Sequence, residues 1–246
     1  MAKRNRHKSK QTIREVIDEL DVPKEVKHSS LGSGKLRDTN ISLELREFPI
    51  CWGLPFDEVM FSAFFENFMS LDKMPWDYLA TTRSTYLPEA RNTIHNLFLN
   101  DLGGTHLFML DSDVMPPPGV VGRLLAHDKD MVGGWYVKKE MFKYKDVDGN
   151  EGFIQRPVVY DFDHSTDEKD LYKQRMEKGK GLERVDGAGA GCWLMSRRVA
   201  EALGENPYDL NRGGEDLVLC KKVSDLGFDM WIDWNIMCGH LGVVTY

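Results

Sequence analysis

The chain has 246 residues, 41% of them hydrophobic, and a formal net charge of −7. This length is enough for one substantial hydrophobic core but short for two, and the composition is that of a globular protein. The negative charge argues against a dedicated duplex-DNA binder, which needs clustered lysine and arginine to neutralise phosphates.

Three features favour a cytoplasmic protein. No apolar run approaches the roughly 20 residues needed to span a bilayer, so we predict no membrane span. The basic start, MAKRNRHKSK, is not followed by the apolar segment of a secretory signal. The cysteines form no C-x-x-C pair, which argues against structural zinc and suits a reducing cytosol; they are Cys51, Cys192, Cys220 and Cys238.

Residues 1–44 are predicted to be a basic tail and polar connector, with a short amphipathic helix over 11–20. The tail carries five basic residues with no acid among them: Lys3, Arg4, Arg6, Lys8 and Lys10. A solvated tail is the plain interpretation of such a run. The alternative is an arm that contacts an anionic partner, and nucleic acid is not expected to bind elsewhere.

From about residue 46 the hydrophobic pattern alternates between strand and helix periods. The predicted strands are 48–52, 77–82, 105–113 and 130–137, and the predicted helices are 57–71, 89–102 and 116–127. Strand-helix repeated three times and followed by a strand is typical of an α/β fold with a Rossmann-like, doubly wound and mostly parallel sheet. Such sheets bind ligands at the carboxyl ends of their strands.

Residues 138–183 differ because they are rich in lysine, acids and glycine, with one predicted strand over 153–162. We interpret them as an insertion over the site, with the character of a lid. Strands over 191–196 and 230–237 and helices over 197–203 and 215–226 follow. Residues 45–246 are thus expected to form one catalytic domain with an insertion.

The first candidate for chemistry is Asp111-Ser112-Asp113. The bare D-x-D pattern is weak, since it recurs at 128–130, 146–148 and 161–163. The pair at 111 and 113 differs by following a strongly apolar strand, where an α/β sheet places its ligand. Two carboxylates there repel each other unless a hard divalent cation lies between them, and such a cation also bridges a diphosphate. The alternative is a helix N-cap and turn ahead of Pro116.

His240, between two glycines near the C-terminus, is a second candidate. A lone histidine is more often a surface or core residue, but beside Asp113 its imidazole would suit manganese better than magnesium.

Glu215 and Asp216 open a predicted helix after Gly213 and Gly214, which makes them candidates for a general base. The alternative is a simple N-terminal cap, because the helix dipole favours acids in the first turn. The same dipole is expected to lower the pKa of Asp216.

Two weaker candidates remain. The first is the glycine-rich run Gly187-Ala188-Gly189-Ala190-Gly191, which lacks the spacing of a dinucleotide fingerprint. We interpret it as backbone that a sugar can approach closely, and a bulge or turn is an almost equally good interpretation. Arg91 at the start of the second helix would neutralise phosphate or hold the aspartate pair, unless it is a solvated helix residue.

The segment FMLDSDVMPPPGVVGRLLAHDKDMVGGWY resembles the metal-binding centre of type A glycosyltransferases, especially the family 2-like enzymes of phage and bacteria. DGAGAGCWLMSRRV, GGEDLVLCKKVSDLGF and WIDWNIMCGHLG resemble the next three blocks of that family, in the same order. The resemblance covers roughly residues 45–135 and 184–246.

The resemblance implies a role for each matching position. Asp111 and Asp113 would hold manganese, or magnesium, and the donor diphosphate, with His240 as the third protein ligand. Asp216, or else Glu215, would be the catalytic carboxylate. The nucleotide-sugar site would also include Ser112, Gly189 and Arg91, with Thr82 and Arg83 beside the base.

We therefore expect a metal-dependent glycosyltransferase that moves a sugar from a nucleotide-sugar, such as a UDP-sugar, to a hydroxyl of a carbohydrate or other acceptor. A sugar nucleotidyltransferase is an alternative, but CWGLPFDEV lacks the glycine-rich basic loop expected after its first strand. A catalytically silent carbohydrate-binding protein would be expected to lose Asp113, Asp216 or His240, and all three are present. The sugar, the nucleotide and the stereochemistry stay open.

Overall fold

The computed structural model describes residues 48–56, 59–145, 149–162, 172–210 and 214–242. The basic tail, the helix predicted over 11–20 and the connector lie outside the described residues. Among the helices that are described, none is both long and apolar enough to cross a membrane.

The helices are α1 (Ser62–Ser70), α2 (Leu87–Asn96), α3 (Val120–Leu125), α4 (Arg197–Leu203) and α5 (Glu215–Asp225), with a π-helical turn at Leu97–Asp101 after α2. The strands are β1 (Ile50–Phe56), β2 (Tyr78–Arg83), β3 (His106–Leu110), β4 (Val114–Met115), β5 (Met131–Trp135), β6 (Phe142–Lys145), β7 (Glu151–Ile154), β8 (Val159–Phe162), β9 (Tyr172–Gln174), β10 (Leu182–Val185), β11 (Gly187–Ala188), β12 (Cys192–Ser196), β13 (Met230–Met237) and β14 (Gly239–His240).

The central sheet has seven strands in the order β10-β13-β5-β12-β3-β1-β2. Five of them run in one direction, because β1 is parallel to both β2 and β3, and β13 is parallel to β5. β12 runs antiparallel between β3 and β5, and β10 is antiparallel at the edge. The predicted α/β fold with a mostly parallel sheet is confirmed.

β3 explains how the core is divided. Its residues 107–110 are fully buried, and successive side chains point to opposite faces of the sheet. Leu107 and Met109 pack in one cluster with side chains of α2, α4 and α5, whereas Phe108 and Leu110 pack in a second cluster with side chains of α1 and α3. Helices therefore cover both faces of the sheet, whereas the end of the sheet at which β3 finishes is not covered by them.

Several predicted boundaries were wrong. The helix predicted over 116–127 spans only Val120–Leu125. α1 begins at Ser62, not at residue 57, because the chain stays extended through Phe56 with Pro55 paired to Thr82 of β2. The predicted strand over 153–162 is split at Pro157: β7 pairs with β6, whereas β8 pairs with β9 and β11. Proline lacks the N–H that a continuous ladder needs.

Candidate active site at the carboxyl edge of the sheet

A cleft of about 380 Å³ opens at the carboxyl ends of β3 and β5, beside the start of α5. Side chains from the strand ends, from α2 and α5 and from the insertion share it. They are Leu87, Arg91, Asp111, Asp113, Tyr136, Lys138, Lys139, Glu140, Val158, Tyr160, Glu215, Asp216 and His240. Six of the residues singled out in the sequence thus meet in one cleft, although they come from positions as distant as 91 and 240.

Asp111 directly follows β3 and is held by Arg91 of α2. The Arg91 Nη2 atom lies 2.8 Å from Asp111 Oδ1 and donates a 3.0 Å hydrogen bond to Oδ2. Oδ1 is buried and makes no hydrogen bond of proper geometry among the described residues. Burial raises the pKa of Asp111 and Arg91 lowers it, with a net rise to which the nearby Asp113 contributes.

Arg91 is a buried cation shared by two acids. Its side chain is 2% exposed, and its Nε lies 3.4 Å from Glu215 Oε1 at the start of α5. Its Nη1 donates a 3.4 Å hydrogen bond to the carbonyl of Ala190 in the glycine run. Of the two aspartates, Arg91 therefore holds Asp111, and it joins the end of β3 to α5 and to the 187–191 segment.

Asp113 faces a different cation. Its Oδ2 lies 2.5 Å from the Lys139 ammonium and 3.7 Å from His240 Nε2. Burial raises the pKa of Asp113, but the nearby His240 and Lys139 outweigh it, so that the pKa lies below its usual range. Asp113 is therefore an ionised carboxylate in the part of the cleft that Lys139 and His240 share.

His240 is brought to Asp113 by backbone pairing. β14 pairs with β4, with His240 opposite Val114, and the Leu241 N–H donates a 2.7 Å hydrogen bond to the carbonyl of Asp113. The imidazole Nδ1 lies 2.7 Å from the Val137 carbonyl, which can only accept. Nδ1 therefore carries the hydrogen, and in the neutral ring the lone pair of Nε2 is directed to the Asp113 side.

Asp216 departs from the expectation for its pKa. It lies in the first turn of α5, and its Oδ1 accepts a hydrogen bond from the Leu217 N–H. Burial, with Glu215 next to it, nevertheless raises the pKa of Asp216 to about 6. The expected lowering by the helix dipole is wrong here, because loss of hydration outweighs the dipole. A carboxylate with this pKa is a stronger base near neutral pH.

Tyr136 was missed in the sequence, although it directly follows β5 at the same edge as Asp111. Its buried hydroxyl accepts a 3.1 Å hydrogen bond from the Gly191 N–H. A Cβ at Gly189 would lie 2.3 Å from this hydroxyl, and one at Gly191 would lie 2.8 Å from it. The glycine spacing is therefore accounted for by close packing on Tyr136, and contact of Gly189 with a sugar stays a prediction.

Thr82, Arg83 and Ser112 do not line the cleft. Thr82 and Arg83 end β2, two strands from β3, and the Arg83 guanidinium lies 6.0 Å from the ring centre of Phe56. Ser112 occupies the turn between the two aspartates. The insertion does reach the cleft, because Lys138, Lys139, Glu140, Val158 and Tyr160 line it.

Within the described ranges, no three carboxylate, imidazole or thiolate groups lie close enough together to hold a metal ion. The chemistry of the donors nevertheless fits a divalent cation: two carboxylates, one with a buried oxygen that accepts no well-directed hydrogen bond, and an imidazole lone pair. Each of the two carboxylates has a cationic partner in this structure, Arg91 for Asp111 and Lys139 for Asp113.

The sequence matches no protein-family model and no curated protein. The fold is similar to A197 from STIV, with a TM-score of 0.52, 18% identity, and coverage of 79% of this chain and 86% of that chain. It is also similar to GalNAc-T7, whose structure holds UDP, GalNAc and Mn²⁺, with a TM-score of 0.52 and 12% identity. That match covers 80% of this chain but 44% of GalNAc-T7. The chain therefore has a glycosyltransferase-like fold.

Proposed function

We propose that the protein is a metal-dependent glycosyltransferase that moves a sugar from a nucleotide-sugar to an acceptor hydroxyl. One observation carries the proposal: Asp111, Asp113, His240 and Asp216 converge on one cleft at the carboxyl edge of a glycosyltransferase-like sheet. Paired carboxylates beside an imidazole suit a cation and a diphosphate, whereas a partly buried carboxylate of raised pKa suits proton transfer.

Asp111, Asp113 and His240 would hold the ion, which is manganese or magnesium in this proposal. When bound, such an ion neutralises charge that develops on the leaving nucleoside diphosphate. Val137 contributes indirectly, because its carbonyl fixes the orientation of His240.

Asp216 would accept the proton of the acceptor hydroxyl as that oxygen attacks the sugar. Its pKa of about 6 leaves it ionised at neutral pH yet basic enough to act. Arg91 positions both Asp111 and Glu215, and Glu215 is next to Asp216 in the first turn of α5. Glu215 is the second candidate for the base.

The donor in this proposal is a nucleotide-sugar, with UDP-sugars tested first because GalNAc-T7 is described with UDP and GalNAc. Contact of Thr82, Arg83 and Ser112 with its nucleotide stays a prediction, because none of the three lines the cleft itself. The proposed acceptor is a carbohydrate or another hydroxyl compound. A cytoplasmic setting accords with four buried cysteines without disulfides.

The test is a screen of nucleotide-sugars with the full chain and Mn²⁺, with released nucleoside diphosphate as the readout. Donor-dependent release that stops with excess chelator supports a glycosyltransferase. Release of pyrophosphate from a nucleoside triphosphate and a sugar phosphate would identify the nucleotidyltransferase instead. Donor binding without turnover on any acceptor would favour a silent carbohydrate-binding protein.

A further inference from the structure

The strongest unassigned feature of the cleft is the position of Lys139. Its ammonium lies 2.5 Å from Asp113 Oδ2, the same oxygen atom that lies 3.7 Å from His240 Nε2. An ion held by Asp113 and His240 would need this oxygen. Lys139 therefore stands where the proposed metal would bind.

Two segments of the chain direct Lys139 to this position. Its backbone follows an isolated bridge between Val137 and Pro157 and a 2.9 Å hydrogen bond from the Lys138 N–H to the Arg156 carbonyl. Its stem runs past Gly242, where an added Cβ would lie 3.4 Å from Lys139 Cδ. The lysine stem therefore packs beside Gly242, in addition to the backbone pairing of the neighbouring residues.

The same side chain is able to leave. Lys139 is 40% exposed, and its side chain reaches solvent by rotation about flexible bonds. Arg91, by contrast, is 2% exposed and is tied to Asp111, Glu215 and Ala190. Of the two cations, Lys139 is the exchangeable one.

We propose that Lys139 is a built-in competitor that occupies the cation position at Asp113 and is displaced when a divalent ion binds. The inference rests on the proposed function, since it concerns the same metal site. An ammonium and a divalent ion repel each other, and close contact of both with one carboxylate oxygen is unfavourable, so ion binding should displace the lysine. With Lys139 present, the site should therefore bind the free ion more weakly than Asp113 and His240 would without the lysine.

A consequence concerns the donor. A displaced ammonium at the rim of the cleft lacks a partner until an anion arrives, and a diphosphate supplies one. Ion and nucleoside diphosphate should therefore strengthen each other's binding, and part of that coupling should depend on Lys139.

The experiment titrates Mn²⁺ into the full chain without nucleotide, with calorimetry or the electron paramagnetic resonance signal of free Mn²⁺ as the readout. Lys139→Met should bind Mn²⁺ about threefold to tenfold more tightly than the unmodified protein, the scale of losing a partly exposed ion pair. Lys143→Met is the matched control, because it removes the same charge from an exposed pair with Glu151, at 2.6 Å, outside the cleft. It should leave Mn²⁺ affinity unchanged.

Asp113→Ala should weaken Mn²⁺ binding in both the unmodified and the Lys139→Met background, which assigns the ion to this site. Lys139→Gln, with urea unfolding of each variant, guards against misfolding. Equal or weaker Mn²⁺ binding by both Lys139 variants overturns the competition but leaves the proposed function standing. Absence of Mn²⁺ binding in every protein overturns the proposed metal site itself, and the competition with it.

Discussion

Two D-x-D pairs lie at opposite ends of the same sheet and have different surroundings. Asp111 and Asp113 follow β3 at its carboxyl end, whereas Asp128 and Asp130 precede β5 at its amino end. Each end has a polar cavity, of about 380 Å³ at the first and about 320 Å³ at the second. The bare D-x-D pattern and the cavity volume therefore do not distinguish the two ends of the sheet.

Their partners do. Asp130 accepts hydrogen bonds from Ser196 at 2.8 Å and from the exposed Arg198, and together they hold its pKa below the usual range although burial raises it. At the carboxyl end, Arg91 is shared by Asp111 and Glu215, and burial leaves the pKa of Asp111 raised. At the amino end of the sheet, neighbouring side chains supply Asp130 with its partners. At the carboxyl end, two acids share the single buried cation Arg91, and this shortage of cations favours binding of an added one.

The largest expected contrast is in nucleotide binding. Asp113→Ala should abolish metal-dependent binding of nucleoside diphosphate, because it removes a proposed ligand, whereas Asp130→Ala should bind as the unmodified protein does. Calorimetry with Mn²⁺ present measures both. Retained binding by Asp113→Ala, or full turnover in excess chelator, would contradict the metal site.

The arginines of the two ends should differ in their effect on stability. Arg91→Met leaves two largely buried carboxylates without their cation and should lower the free energy of unfolding by about 3 kcal/mol. Arg198→Met removes an exposed partner of Asp130 and should leave the urea midpoint nearly unchanged. Equal midpoints for the two variants would show that the buried network contributes little.

Asp216→Asn separates binding from chemistry at the carboxyl end. It keeps size and hydrogen bonding, so the donor dissociation constant should stay within a few-fold, whereas transfer should fall by about 10² or more. Normal turnover of Asp216→Asn with an inactive Glu215→Gln would transfer the base role to Glu215. Normal turnover of both variants would mean either that the two acids serve only as a helix cap or that the mechanism does not use this base.

The raised pKa of Asp216 predicts two pH effects. Transfer should decline as pH falls below about 6, and Asp216→Asn should lose that limb of the profile. Because the unfolded carboxyl ionises near pH 3.9, the contribution of Asp216 to the stability of the folded protein falls as pH rises from about 4 to 6. Asp216→Asn should therefore gain roughly 2–3 kcal/mol above pH 6 and little at pH 4 in urea unfolding.

The smallest expected effect concerns the insertion over 138–183. Its residues line the cleft at Lys138, Lys139, Glu140, Val158 and Tyr160. If it closes over the donor, Mn²⁺ and nucleotide should slow limited proteolysis within it by a few-fold. Unchanged cutting rates with and without ligand would argue against a lid.

The sequence by itself determined the order and type of the main elements. The apolar run before Asp111 specified a buried strand, and alternating strand and helix periods specified a doubly wound sheet. The carboxyl-edge rule then selected Asp111 and Asp113 over the pair at 128–130, because the rule depends on strand direction and local order. The same rule points to Tyr136 after β5, which was overlooked.

Tertiary structure decided which groups share the cleft and what their partners are. Antiparallel β12 and the β4–β14 bridge join segments far apart in sequence, so the pairing of His240 with Asp113 has no local signal. The rise in the pKa of Asp216 depends on burial by other elements, which a local dipole argument omits. The sequence likewise did not indicate that Lys139, one of several lysines in a charged insertion, contacts Asp113. The partner of a lysine is set by three-dimensional packing and not by its neighbours along the chain.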